Sequence, residues 1–252
     1  MTLSRDEWHQ RFLVQAQWTE GLRLYFFDLI KDDAIQSILE IGCGTGALLP
    51  DLQALTPGQV FGGDINLDHL ELAALNCPDC SLSGANVHRL PFADQSFDLV
   101  LCHYFLMWTG EPSQALGEMR RVTKTGGSVV AFAEPDYGGR IDHPQGLSLI
   151  REMQIQAFKG SGADPYLGRQ LLGLFVENGF SDLECGIYQG FFPREYSEAE
   201  LESEWKVLAA DLDGFLSSQE LEELRSQDLA ARQSGSRVVY VPTFYAWAKV
   251  PG

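Results

Sequence analysis

The stretch Ile38–Gly46, with the sequence ILEIGCGTG, decides the fold of this 252-residue chain. Its first four residues form a mostly apolar run that predicts a short buried strand. The three glycines that follow permit positive φ angles and let backbone N–H groups approach a ligand. A helix is expected behind them, over residues 47–55, and its positive N-terminal end favours an anion. Strand, glycine loop and helix therefore predict a ligand site of an α/β protein.

Strands and helices alternate on the C-terminal side of this stretch. We predict strands over residues 59–64, 81–85, 98–102 and 128–133, and helices over residues 66–75 and 112–123. Such βαβ units build a doubly wound α/β fold, in which a parallel sheet has helices on both faces. Ligands of these sheets bind beyond the carboxyl ends of the strands.

The rest of the chain is expected to add to one domain that covers residues 1–252. Residues 1–37 are predicted to form an N-terminal helical cap, and residues 38–135 a ligand-binding core. Residues 136–237 contain helical patterns and a strand-like segment at 183–188, and we expect them to supply a helical lid and the substrate site. Residues 238–252 are expected to form one final strand.

The composition narrows the range of partners. Asp and Glu number 35 against 18 Lys and Arg, which gives a formal charge of −17 and argues against a nucleic acid or an anionic membrane as partner. No stretch is apolar enough to span a membrane, and the first residues lack a signal-peptide pattern, so a cytoplasmic protein is expected.

Five cysteines, an odd number, predict reduced thiols in a cytoplasmic protein. Cys77 and Cys80 have the C-x-x-C spacing of redox and zinc sites. We interpret them as ordinary loop cysteines, since a zinc site needs a second pair of ligands at a comparable spacing. No metal site is expected.

Asp64 ends the second predicted strand, 18 residues after Gly46, where a carboxylate reaches the two hydroxyls of a ribose. The loop has the spacing G-x-G-x-G, and Ala47 stands where the dinucleotide pattern G-x-G-x-x-G has its third glycine. A pyrophosphate dinucleotide therefore fits Asp64 but fits the loop less well. An NAD-dependent oxidoreductase is left open as a less favoured alternative.

Four ordered motifs carry a resemblance to a known family. Residues 38–46, Asp64, the segment Leu90-Pro91-Phe92 followed by residues 96–100, and Thr125-Gly126-Gly127 closely resemble the class I S-adenosylmethionine-dependent methyltransferases. The small-molecule branch with a methyltransferase-11 type core is the most similar. The resemblance covers residues 37–135 and implies a Rossmann-like, mostly parallel seven-stranded sheet. Residues 244–249 resemble the last, antiparallel strand of that fold.

The resemblance also implies a cofactor, S-adenosyl-L-methionine, with S-adenosyl-L-homocysteine as product. Asp64 would bind the ribose, Ile65 would pack on the adenine, and the Val87 backbone N–H would contact a ring nitrogen. Asn86 stands where the family often has an Asp that binds the adenine amino group, and its amide oxygen can still accept that hydrogen bond. The methionine part would contact Glu40, Gly42, Cys43, Gly44, Thr45 and Gly46, with His103 beside the sulfonium. Apart from the resemblance, the N-terminal helices are expected to close over the cofactor, where Arg11 or Arg23 can meet its carboxylate.

Methyl transfer to an O, N or C atom of a small molecule is the function that this resemblance implies. The alternative is a catalytically silent S-adenosylmethionine-binding sensor or scaffold. A general base is needed only if the acceptor enters protonated, and His103 and His143 are the predicted bases, with Tyr104, Tyr137, Glu134 and Asp136 as further candidates. The acceptor site is predicted to contain aromatic and apolar side chains, namely Trp18, Tyr104, Met107, Trp108, Tyr137 and Phe191. The sequence does not predict an oligomeric state.

Overall fold

The structure is a computed structural model that describes residues 3–30, 35–188 and 197–252. Seven strands form its main sheet: β1 (Ser37–Ile41), β2 (Gln59–Asp64), β3 (Ser81–Gly84), β4 (Phe97–Cys102), β5 (Thr123–Pro135), β7 (Ser181–Tyr188) and β9 (Thr243–Lys249). Two short strands form a separate ribbon: β6 (Ile141–His143) and β8 (Val238–Tyr240).

The main sheet has the strand order β3-β2-β1-β4-β5-β9-β7. Strands β1 to β5 pair in parallel, whereas β9 runs antiparallel between β5 and β7. The predicted doubly wound, mostly parallel sheet of seven strands is therefore confirmed. The chain order reverses between β1 and β4, and this is the position where open α/β sheets bind ligands.

The helices follow the predicted pattern with small shifts at their ends. The two N-terminal helices are α1 (Arg5–Trp18) and α2 (Glu20–Leu29), and α1 begins with a capping box in which Ser4 and Glu7 bond reciprocally. The others are α3 (Leu49–Leu55), α4 (Leu67–Asn76), α5 (Pro112–Val122), α6 (Ser148–Gly160), α7 (Leu167–Glu177), α8 (Glu198–Asp211) and α9 (Ser218–Gln233).

Alternate residues of the central strands face two separate buried clusters. Leu39 and Val100 belong to a cluster that includes side chains of α5 and α7, whereas Ile38 and Leu99 belong to one that includes side chains of α2 and α3. This period of two places helices on both faces of the sheet. A third cluster joins α6, α8 and α9, which together with the β6–β8 ribbon we call the cap.

Two sequence expectations were wrong. Residues 238–250 do not form one strand, since β8 pairs with β6 and only β9 enters the main sheet. Pro242 lies between them and has no N–H to donate to a ladder. Cys77 and Cys80 are not reduced thiols: the turn after α4 brings their Cα atoms within 5.4 Å, and a disulfide joins them.

The described residues contain neither a membrane-spanning helix nor a metal-binding cluster. None of their helices is long and apolar enough to cross a bilayer. They also contain no group of three or more His, Cys, Asp or Glu side chains that is arranged to hold a metal ion.

Candidate cofactor and acceptor site

The glycine loop lies directly beyond β1, at the carboxyl edge of the sheet. Gly42, Gly44 and Gly46 all have positive φ angles, of +71°, +51° and +78°. A Cβ atom on Gly42 would stand 2.1 Å from the ring of Phe105. Both its conformation and this contact therefore require glycine at position 42.

Glu40 lies in β1 just before the loop and is 3% exposed. Its Oε2 atom has no hydrogen-bond partner among the described residues. Burial raises the pKa of this carboxyl to about 8, against the opposing effect of the Arg23 charge. A buried, unpartnered carboxyl oxygen of this kind fits a cationic ligand group that supplies the missing hydrogen bond.

Arg23 of α2 is also buried, at 2% exposure. One terminal nitrogen, Nη2, pairs with Asp51 Oδ2 at 2.6 Å, and Nη1 donates to the Ala16 carbonyl at 2.6 Å. Its Nε atom is a buried donor without a partner in the described part of the chain. An unpartnered donor on a cation thus lies in the neighbourhood of the unpartnered acceptor of Glu40. A zwitterionic α-amino-acid group, such as the methionine part of the expected cofactor, complements both.

Asp64 lies at the end of β2 beside the loop. Its Oδ2 accepts the Gly44 N–H at 2.7 Å, and its Oδ1 accepts the Asn66 N–H at 2.8 Å. These two bonds fix the carboxylate and leave lone pairs on both oxygens for further donors. The adjacent Ile65 is 73% exposed. Its side chain therefore has a free apolar face on which a planar ligand could pack.

Asn86 and Val87 follow β3, at the same edge of the sheet. Asn86 is exposed, and its Oδ1 accepts the His88 N–H at 2.9 Å. That bond uses the amide oxygen expected to contact an adenine and leaves a second lone pair. The Val87 side chain is buried in the core.

Helix α1 covers the glycine loop, a contact that no sequence motif indicated. His9 Nδ1 lies 2.8 Å from Thr45 Oγ1, and the Phe12 ring lies 3.2 Å from where a Gly44 Cβ would be. From the other side, the Asn76 amide donates to the Thr45 carbonyl at 2.9 Å. Sequence reasoning missed these residues because their partners are more than 30 positions away in the chain.

His103 follows β4 and has a short contact with the N-terminal helices. Its Nε2 lies 2.8 Å from Thr19 Oγ1, and its ring meets the Tyr104 ring edge-on at 4.7 Å. Desolvation of the ring, together with the Arg23 charge, lowers the pKa of His103 to about 3. Tyr104 turns the chain here with a φ angle of +49°, a conformation that non-glycine residues adopt mostly at special sites. His103 is therefore a neutral imidazole in this structure.

Two further candidate bases are occupied by structural contacts. Glu134 is fully buried, and its carboxylate accepts the backbone N–H groups of residues 105, 106 and 107 at 2.8–3.1 Å. Burial still raises its pKa to about 7. Asp136 forms two hydrogen bonds with the Arg169 guanidinium, at 2.6 and 2.8 Å. Both carboxylates hold the segments that follow β4 and β5.

The predicted acceptor side contains Tyr104 and Tyr137, and charged residues of distant helices affect their pKa values. Burial raises the pKa values of Tyr104 and Tyr137, and the nearby cation of Arg11 opposes both shifts. Asp211 of α8 contributes to the shift at Tyr137 and accepts the Gln154 amide at 3.0 Å. The sequence pattern gave no signal for Asp211, because it lies on an acidic helix among solvated glutamates.

The remaining predicted residues lie in different environments. Trp18 is 48% exposed with the Arg11 guanidinium 4.7 Å from its ring centroid, and Trp108 is 52% exposed. Met107 is buried in the core, and His143 is exposed on the β6–β8 ribbon, outside the main sheet. Phe191 lies outside the described residues.

Comparison with known proteins agrees with this geometry. Residues 39–131 match the family model described as a methyltransferase domain. An uncharacterised 37.1 kDa protein of a Streptomyces fradiae transposon is 32% identical over 179 residues, which are 68% of this chain and 51% of that protein. A demethylmenaquinone methyltransferase of Renibacterium salmoninarum is 36% identical over 105 residues, covering 41% of this chain and 44% of the enzyme. The chain thus spans about half the length of the curated relatives that it matches.

Solved structures share the fold. The phosphoethanolamine N-methyltransferase 2 of Haemonchus contortus, in complex with phosphomonomethylethanolamine and S-adenosylhomocysteine, superposes with a TM-score of 0.59 at 18% identity. The match covers 93% of this chain and 53% of that one.

Proposed function

Since residues 39–131 match the methyltransferase-domain family model, we propose that this chain transfers a methyl group from S-adenosylmethionine to a small-molecule acceptor. The observation that carries the proposal is the pair of unpartnered buried groups beside the glycine loop, Glu40 Oε2 and Arg23 Nε. Buried polar atoms are nearly always hydrogen-bonded, so an unpartnered carboxyl oxygen and an unpartnered N–H donor at one site point to a ligand that completes both. A scaffold without a ligand has no use for them.

Each part of the site has a role in holding this cofactor. Glu40 would accept from the ammonium group, Arg23 Nε would donate to the carboxylate, and Asp64 would accept from the ribose hydroxyls. Ile65 and the Val87 backbone would contact the adenine, and Asn86 would bind its amino group. When bound, S-adenosylmethionine supplies a methyl group that is activated by a positively charged sulfur.

The protein contributes mainly by positioning and by excluding water. Methyl transfer is an in-line displacement, so the acceptor atom must face the methyl group along the bond that breaks. Phe105 against Gly42, and Phe12 of α1 against Gly44, cover the loop with apolar rings. Water that reaches the site less easily competes less with the acceptor.

A small, neutral or cationic molecule is the acceptor class that we propose. Tyr104, Tyr137 and the exposed ring of Trp108 would line the site, with Trp18 at its N-terminal side and Asp211 as an acidic group in reach of Tyr137. The formal charge of −17 favours such a molecule over a nucleic acid. Among the relatives, demethylmenaquinone and phosphoethanolamine methyltransferases act on small molecules by their names.

Isothermal titration calorimetry of the purified chain tests the cofactor. We expect S-adenosylmethionine and S-adenosylhomocysteine to bind and NAD not to bind. Tight NAD binding without S-adenosylhomocysteine binding would overturn the proposal. A panel of phenol, amine, carboxylate and quinol acceptors with radiolabelled S-adenosylmethionine then tests transfer, and binding without transfer to any of them would favour a sensor.

A further inference from the structure

Thr19, at the junction of α1 and α2, lies at the centre of a buried hydrogen-bond network. Its side chain is only 1% exposed. Its hydroxyl accepts from Arg23 Nη1 at 2.8 Å and lies 2.8 Å from His103 Nε2. The carbonyls of Ala16 and Gln15 are more distant, at 3.2 and 3.4 Å.

Three acceptors lie within reach of the single Thr19 hydroxyl proton: His103 Nε2 and the carbonyls of Ala16 and Gln15. A threonine hydroxyl has one proton, and a carbonyl oxygen has two lone pairs. The Ala16 carbonyl already accepts Arg23 Nη1 at 2.6 Å and the Thr19 backbone N–H at 3.2 Å. The Gln15 carbonyl is the most distant of the three acceptors and His103 Nε2 is the nearest, so distance favours donation from Thr19 to His103 Nε2. The cation that donates into the same hydroxyl polarises it and strengthens this donation.

We propose that Thr19, polarised by Arg23, is a positioning residue that holds His103 as the neutral Nδ1–H tautomer, so that His103 serves the acceptor as a hydrogen-bond donor. This inference rests on the proposed function for the identity of the reaction, but the hydrogen-bond network stands without it. His103 Nε2 is occupied by Thr19, and Nδ1 carries the ring proton. A ring in this state stabilises negative charge on an acceptor and takes no proton from it.

The network also connects the two ligands of the reaction. Arg23 is the residue proposed to meet the cofactor carboxylate, and His103 lies beyond β4 on the acceptor side, next to Tyr104. The Thr19 side chain hydrogen-bonds to both. The same hydroxyl thus contacts both Arg23 of α2 and the His103 ring.

Nuclear magnetic resonance of the histidine ring nitrogens tests the tautomer. The ¹⁵N-labelled protein is compared with its Thr19→Val and Thr19→Ser variants, each without ligand and saturated with S-adenosylhomocysteine. A His103→Asn variant assigns the signal among the five histidines. We expect Nδ1 of His103 to be protonated and Nε2 unprotonated in the wild type and in Thr19→Ser. In Thr19→Val, which keeps the shape but lacks the hydroxyl, we expect a mixture of the two tautomers.

Contrary outcomes are equally defined. A protonated Nε2 in the wild type would overturn the proposal, as would a Thr19→Val signal identical to that of the wild type. If Thr19→Val does not fold, the wild-type and Thr19→Ser spectra still decide the tautomer. Calorimetry on the same samples separates the two proposals, since a protein that fails to bind S-adenosylhomocysteine contradicts the proposed function and leaves the tautomer readable.

Discussion

The glycine loop at residues 42–46 and the cap are held by different kinds of contact. The loop is fixed by backbone conformation and by hydrogen bonds such as Asp64 to the Gly44 N–H. The cap depends on charged side chains that are almost fully buried. Asp228 of α9 accepts from Trp205, Arg232 and Arg237, and the Arg237 guanidinium also reaches the Asp142 carboxylate, at 2.9 Å.

This contrast indicates which property a substitution in each region should change. At Gly42, Gly44 and Gly46 the positive φ angles disfavour a side chain, and Glu40 Oε2 and Arg23 Nε beside the loop have no hydrogen-bond partner among the described residues. In the cap, the carboxylates of Asp228 and Asp142 both form ion pairs with arginines, because a buried unpaired charge destabilises a protein strongly. We therefore expect substitutions in the loop to change ligand affinity and substitutions in the cap to change stability.

The largest effect is expected from Asp228→Ala in the cap. Removal of this carboxylate takes away the buried counter-charge that Arg232 and Arg237 share, leaving Arg237 with Asp142 and Arg232 with Glu204, and should lower the free energy of unfolding by about 3–5 kcal/mol. Affinity for S-adenosylhomocysteine should stay within about twofold at temperatures where the variant is folded. Urea unfolding and calorimetry measure the two quantities. Glu222→Ala, an exposed change on the same helix, is the control and should shift stability by less than about 0.5 kcal/mol.

The converse change is Gly42→Ala in the loop. Alanine at this position would have to adopt a left-handed backbone conformation, which L-residues disfavour. Its Cβ would also stand 2.1 Å from the Phe105 ring, so that ring would have to move away from the loop. We expect affinity for S-adenosylhomocysteine to fall about 100-fold or more, which corresponds to about 2.7 kcal/mol. Gly110→Ala, where a Cβ meets nothing within 4 Å, should bind as the wild type does. Equal affinities for the two variants would contradict the comparison.

A smaller effect is expected from Glu40→Gln, and it carries a pH signature. With a pKa of about 8, Glu40 is mostly protonated at pH 7, so binding of an ammonium group must ionise it and release close to one proton. Calorimetry in two buffers of different ionisation enthalpy measures that release. Glu40→Gln should release none and bind S-adenosylhomocysteine more weakly by about 1.5 kcal/mol. Unchanged proton release in the variant would remove Glu40 from the proposed ammonium site.

The same group predicts a slope of stability against pH. Because the pKa of Glu40 is higher in the folded protein than in the unfolded chain, the folded state retains a proton that the unfolded state loses. Stability of the ligand-free protein should therefore fall as pH rises from 5 to 8, and Glu40→Gln should reduce that fall. Asp228 acts in the opposite sense, because burial would raise its pKa but hydrogen bonds from Arg232, Arg237 and Trp205 lower it. Its contribution should be lost at acidic pH.

The smallest effect is expected outside both regions, at Gly173 on α7. A Cβ at this exposed helical position meets nothing within 4 Å, and its φ is not positive. Gly173→Ala should therefore stabilise the protein by about 0.5–1 kcal/mol through its higher helix propensity. A rise in the unfolding midpoint with unchanged cofactor affinity is the expected measurement. Destabilisation instead would show that steric room alone does not distinguish a tolerant glycine from those of the loop.

Local patterns were enough to predict the parallel part of the sheet and the loop. The apolar run of β1, the three glycines and the acidic residue at the end of β2 all lie within 27 residues, so their spacing alone identifies a strand, a loop and a ligand site. The split between β8 and β9 was missed because both strands are apolar, and only their partners distinguish them. The Cys77–Cys80 disulfide was missed because it depends on the turn that follows α4.

Candidate nucleoside-binding residues could be identified from the sequence alone, because glycine conformations and a strand-end carboxylate are local properties of the chain. Which polar groups at the site lack hydrogen-bond partners within the protein depends on tertiary contacts. Glu134 and Asp136, plausible bases by position, are occupied by backbone amides and by Arg169. Thr19, which accepts a hydrogen bond from Arg23, reaches His103 from the junction of the N-terminal helices, more than 80 positions away in the chain. Hydrogen-bond pairing is a long-range property, because each lone pair is used by whichever donor the fold brings to it.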